Sequence, residues 1–205
     1  MRLPDAAHLA RPWRIHAIAP DFRLEDVWAL PTPGGPDDFP ELVDLMATYD
    51  PEEGSIGPLR VLFALRWKLG ELLGWDDDDT GLGARVATLR DRLPEDLRGD
   101  APALGSFAPL YLTRDEYAAE IANRTVHGVL HLGWVEDGAG GHRGQMAVLV
   151  RPNGRFGSAY MAAITPFRHA IVYPAMLTEL GRRWRARTGR PAPGPDRRTP
   201  AGRAP

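Results

Sequence analysis

Apolar and polar positions alternate from Thr125 to Val135 (TVHGVLHLGWV), the period of two that marks a strand. Gly144–Arg151 (GQMAVLVR) is a compact apolar run, and Phe156–Ile164 (FGSAYMAAI) reads as a third strand. Between the last two, Pro152-Asn153-Gly154 supplies the positive-φ positions of a tight hairpin. Thr165 is a good N-cap and Pro166 suits a first helical position, so a long helix is predicted from Pro166 to about Arg187. A meander that hands its last strand to a terminal helix is the pattern around which the chain is arranged.

Upstream, Met1–Pro12 reads as a flexible leader and Trp13–Ala19 (WRIHAIA) as a first strand. Phe22–Leu30 (FRLEDVWAL) fits either a strand or a short helix. After the Pro31–Pro36 breakers, Asp37 or Asp38 caps a helix from Phe39 to about Tyr49. Ser55–Trp75 forms an amphipathic helix with Leu59, Leu62, Phe63, Leu69 and Leu73 on one face, and Leu82–Leu93 a shorter one. Phe107–Thr113 is a strand; Arg114–Asn123 has a capping-box spacing but also strand alternation, and is taken as a strand. The Pro/Gly/Arg-rich residues 188–205 read as a disordered tail, leaving 13–187 as a single domain.

That order is an α+β fold: a curved antiparallel β-sheet wrapped around a long C-terminal α-helix, with two or three helices inserted after the first strand. Composition narrows the chemistry. A content of 43% hydrophobic and 25% charged residues in 205 describes a globular chain able to bury a core. A net charge of −2 gives no basic field for nucleic acid or anionic membranes. Without cysteine there is no disulfide, thiol nucleophile or Cys-based zinc site, which fits a cytoplasmic protein. No apolar run suits a signal peptide or a membrane span. Lys68 is the only lysine, so any Schiff-base chemistry would rest there.

The order of elements resembles the helix-grip fold of the START, polyketide-cyclase and pollen-allergen superfamily, SRPBCC. More narrowly, PDFRLEDVWALPTPGG, LRWKLGELLGW, EIANRTVHGVLHLGWV and YMAAITPFRHAIVYPA resemble a bacterial family of unknown function within it. The resemblance covers about Arg14 to Arg187 and implies a cavity between sheet and terminal helix that holds a lipid- or polyketide-like molecule. It brings no catalytic motif.

Arg66 breaks the apolar stripe of its helix; it fits an anchor for an anionic head group, a buried pair with a carboxylate or carbonyl oxygens, or a side chain that snorkels out to solvent. Phe63, Trp134, Tyr160, Met161, Phe167 and Tyr173 are the expected cavity wall, with Arg66 the polar anchor. His127 and His131 share one strand face, and if the apolar face of Leu130, Leu132 and Trp134 looks inward they point out. At about 13 Å apart along a strand they cannot share an ion. Asp76–Asp79 lacks the spacing of a calcium loop, and Gly138–Gly141 fits a hairpin rather than a phosphate cradle. Pro174 should kink the terminal helix. No metal or cofactor is expected; a small apolar molecule is the expected partner, and a homodimer is compatible. The readings open are a binder of such a molecule, a cyclase, aromatase or hydratase in which Arg66 would stabilise an enolate and His127, His131 or Tyr160 would move protons, and a partner-binding module with a filled interior.

Overall fold

Five antiparallel strands form one sheet in the computed structural model, which describes residues 1–48, 86–122, 126–152 and 168–189. The elements are α1 (Ala6–Leu9), α2 (Arg14–Ile18), β1 (Arg23–Ala29), α3 (Phe39–Ala47), β2 (Ala108–Leu112), β3 (Glu116–Ala122), β4 (Val126–Glu136), β5 (His142–Pro152) and α4 (Tyr173–Thr188). Strand order is β1-β5-β4-β3-β2. The fold is α+β, with α4 packed on the sheet through Leu177, Leu180 and Trp184. The alternation of Thr125–Val135 and the strand reading of Arg114–Asn123 both appear, as β4 and β3. The expected strand Phe156–Ile164 and the helix Ser55–Trp75 lie outside the described residues.

Every strand of the centre is covered on both faces. Leu132, Trp134, Met146 and Trp28 pack with α3 and α4. Val129, Val135, Ala147 and Val27 pack instead with Trp13, Ile15 and Ile18 and with the 3₁₀ turns Leu89–Arg92 and Glu95–Leu97. We call these the helix face and the N-terminal face. The residues expected as a leader help build the second. Met1–Leu3 run along the free edge of β1, with Leu3 N–H donating to Val27 O at 2.8 Å and Ala29 N–H to Met1 O at 2.8 Å.

Trp13–Ala19 is mainly helix α2, not a strand. Its apolar residues Ile15 and Ile18 stand three apart, which serves a single helical turn as well as an alternating strand would serve a sheet, and both are buried. In place of the helix expected at Leu82–Leu93, residues 89–92 form a 3₁₀ turn capped by the Thr88 hydroxyl. At the other end of the chain, a π-turn at Arg168–Val172 leads directly into α4. The wide turn falls where Pro174 cannot donate to the carbonyl of residue 170. Gly189, at φ 65°, ends α4 in the left-handed conformation that favours glycine.

Candidate functional site: three buried carboxylate–imidazole centres

Strand pairing sets where each polar side chain goes. On the N-terminal face, β4 presents His127 and His131, and both are fully buried. They face neither solvent nor the helix face, because α1, α2 and the 3₁₀ turns form a layer over them. Their neighbours make room: His131 is flanked across the strands by Ala118 and Ala147. Gly133 allows the Trp13 ring to lie flat on the sheet, where an added Cβ would come within 2.7 Å of it.

The first centre is a chain of three imidazoles. His16 Nε2 lies 3.1 Å from His8 Nδ1, His8 Nε2 lies 3.1 Å from His131 Nδ1, and His131 Nε2 lies 3.0 Å from Glu116 Oε1. With each ring protonated on Nε2, every contact is satisfied in one direction, toward the carboxylate. Glu116 also accepts from the backbone N–H groups of Arg14 (3.0 Å) and Ile15 (3.1 Å) and from the Tyr111 hydroxyl. Burial alone would raise the Glu116 carboxyl, but these donors outweigh it and hold it below the ordinary range. His8 is pushed down to about 3, first by burial and then by His131 and His16. Burial likewise lowers His16.

In the second centre His127 Nε2 meets Glu120 Oε2 at 2.7 Å, and Glu120 accepts from Leu89 N–H at 3.1 Å and from the Thr88 hydroxyl. Burial pushes Glu120 up, yet these donors bring it below the usual value. In both centres the imidazoles and carboxylates are buried, except for His16, which is half-buried at the outer end of the first. The two centres hold the N-terminal layer to the sheet.

The third centre differs in place and access. Strict alternation would put Asp26 on the same side as Leu24, on the N-terminal face. The β1–β5 register slips between Leu24 and Asp26, so Glu25 is an extra residue and Asp26 turns to the helix face. There it is fully buried, the one buried carboxylate on that face among the described residues. Asp26 accepts from Tyr173 OH at 3.0 Å and pairs with His169 Nε2. His169 comes from the π-turn, and 23% of its side chain is exposed. Trp28 lies beside the pair, with ring centroids 4.8 Å from Tyr173 and 6.1 Å from His169. Among the described residues the Trp28 indole N–H is buried without a hydrogen-bond partner, an arrangement that costs about 1–3 kcal/mol. A β-bulge and a π-turn, two irregularities that often mark functional positions, thus meet at one carboxylate.

Of the wall residues expected from the sequence, Tyr173 and Trp134 are described, and both lie on the helix face. They are not brought together: Tyr173 begins α4, whereas Trp134 packs on Trp184, about 16 Å further along the helix axis. Trp134 also donates to Gly35 O at 2.9 Å. Arg66, Phe63, Tyr160, Met161 and Phe167 lie outside the described residues, as does Asp76–Asp79. The Gly138–Gly141 segment joins β4 to β5 as expected of a hairpin, and its residues 139–141 line an open groove of about 500 Å³ with Pro33, Gly34, Gly35 and Asp137. Among the described residues no group of three or more His, Asp or Glu is arranged to hold a metal ion, and no helix is long and apolar enough to cross a membrane.

Asp26 was not singled out from the sequence, although the adjacent pairs Glu25-Asp26 and Val27-Trp28 break strict alternation and are the signal of a bulge. The comparisons with known proteins add the family and nothing finer. Neither the curated proteins nor the solved structures give a match. Residues 18–175, a span that takes in Asp26, His169 and Tyr173, match the family model described as a protein of unknown function (DUF2867), and the chain belongs to that family.

Proposed function

We propose that the protein binds a small, mostly apolar molecule on the helix face, with the polar end of that molecule at Asp26, His169 and Tyr173. The carrying observation is the fully buried Asp26 carboxylate, which a bulge directs away from the N-terminal face and which holds a partly exposed imidazole. A buried charge on an apolar face is costly unless it is paired, and pairing it with a group that reaches solvent leaves a polar anchor at an apolar wall. Trp28 and Tyr173 supply that wall at the start of α4. The antiparallel sheet and terminal helix are compatible with a helix-grip arrangement of the SRPBCC kind.

Native mass spectrometry of freshly purified protein tests this reading. A co-purifying mass that is lost on denaturation is expected, together with slow modification of His169 by diethyl pyrocarbonate that quickens once the ligand is extracted. A bare protein mass, with His169 modified at one rate before and after extraction, would overturn it.

A further inference from the structure

We propose that His169 acts as a general base on the bound molecule, removing a proton from a carbon next to a carbonyl group while the Trp28 indole N–H holds the carbonyl oxygen. This rests on the ligand-binding reading above and adds a reaction to it. Asp26 takes the His169 Nε2 side, which leaves Nδ1 as the nitrogen able to accept a proton. Among the described residues Nδ1 has no hydrogen-bond partner, and the ring is 23% exposed in its side chain. Tyr173 donates its hydroxyl proton to Asp26, so it is engaged as a support rather than as an acid. Trp28 is 7% exposed, and among the described residues its N–H is a donor without an acceptor. An acceptor nitrogen and a donor N–H on rings with centroids 6.1 Å apart complement a group that offers an acidic hydrogen and a lone pair.

An enolisable ketone or ester with an apolar body has that pattern. The C–H bond breaks and its electron pair forms the C=C bond of an enolate. The carbonyl π pair moves to oxygen, facing the Trp28 N–H, and the proton forms an N–H bond on His169. Return of that proton to the other end of a conjugated system gives an isomer, and its return to the same carbon gives exchange. Neither outcome needs an oxidant. Asp26 is a positioning residue, fixing the proton of the resting ring on Nε2.

The test uses the full chain with 2-tetralone, an apolar ketone, in D₂O. Exchange of its α-hydrogens is followed by proton NMR, and binding by saturation transfer from the protein. Wild-type protein should accelerate exchange, and His169→Gln should reduce the protein-dependent rate by roughly 100-fold or more while saturation transfer persists. Asp26→Asn should lower the rate and change the ¹⁵N tautomer signature of His169, with partial recovery in Asp26→Glu. Bound probe exchanging equally fast in wild type and His169→Gln would overturn the base assignment and leave ligand binding standing. Absence of saturation transfer from wild-type protein to the probe would overturn both.

Discussion

Among the described residues His8 carries the clearest pH dependence between neutral pH and pH 4. In the unfolded chain its imidazole titrates near the ordinary value of 6.5, and in the fold it is pushed down to about 3. Between those values the unfolded state holds a proton that the folded state does not. Stability is therefore complete above about pH 6.5 and falls as the pH drops, by about 1.4 kcal/mol per unit for one proton. His16 is shifted in the same direction. The lowered carboxyls of Glu116 and Glu120 add losses as the pH falls below their unfolded range. Urea denaturation at pH 7, 5.5 and 4.5 should show this decline, and His8→Gln should flatten it; equal midpoints at all three would contradict the assignment. A second expectation concerns Asp26, whose oxygens serve Tyr173 and His169. Asp26→Asn weakens the acceptor for both donors and should cost about 1–3 kcal/mol in the same measurement. Neither residue stood out in the sequence. A histidine or aspartate shows its surroundings only once a distant segment has covered it.

The elements owe their roles to single-residue irregularities. On β1 one extra residue, Glu25, sends Asp26 to the helix face and brings Val27 to the N-terminal face. On β2 a register shift between Pro109 and Tyr111 places Tyr111 opposite Ala118, from where its hydroxyl reaches Glu116. Period-two reading gives the face of each residue only as far as the next bulge, which is why the strands were legible and Asp26 was not. β4 runs eleven residues without such a break, and its alternation carried over to both faces. Gly133 in this strand is the point of closest approach to Trp13. Gly133→Ala would drive a Cβ into a buried indole held by the sheet and should destabilise the protein by about 1–3 kcal/mol. A melting temperature equal to that of wild type would mean that Trp13 is free to move aside.

At the scale of the whole molecule, the sheet separates two interiors of different character. Among the described residues the buried polar side chains of the helix face are Asp26 and Thr32, and the N-terminal face contains two imidazole–carboxylate centres under a thin layer. That layer is built from two places in the chain. His131 is covered by His8 and Trp13, whereas His127 is covered by Phe22 and sits beside the Thr88–Leu89 turn through Glu120. Deleting residues 2–12 should therefore open His131 to diethyl pyrocarbonate while His127 stays protected, as peptide mass mapping would show. Equal labelling of the two would mean that the layer is released as one piece.

The amino-acid pattern by itself determined the α+β class, the antiparallel strands β2 to β5 and the terminal helix. Each of these rests on local periodicity, caps and breakers, which act between residues a few positions apart. Only the tertiary structure decided that Trp13–Ala19 folds as a helix, that both faces of β4 are buried, and that Asp26 meets His169 from 143 positions away. Those outcomes depend on which distant surfaces cover one another and on a one-residue slip in strand pairing, and neither leaves a period in the sequence.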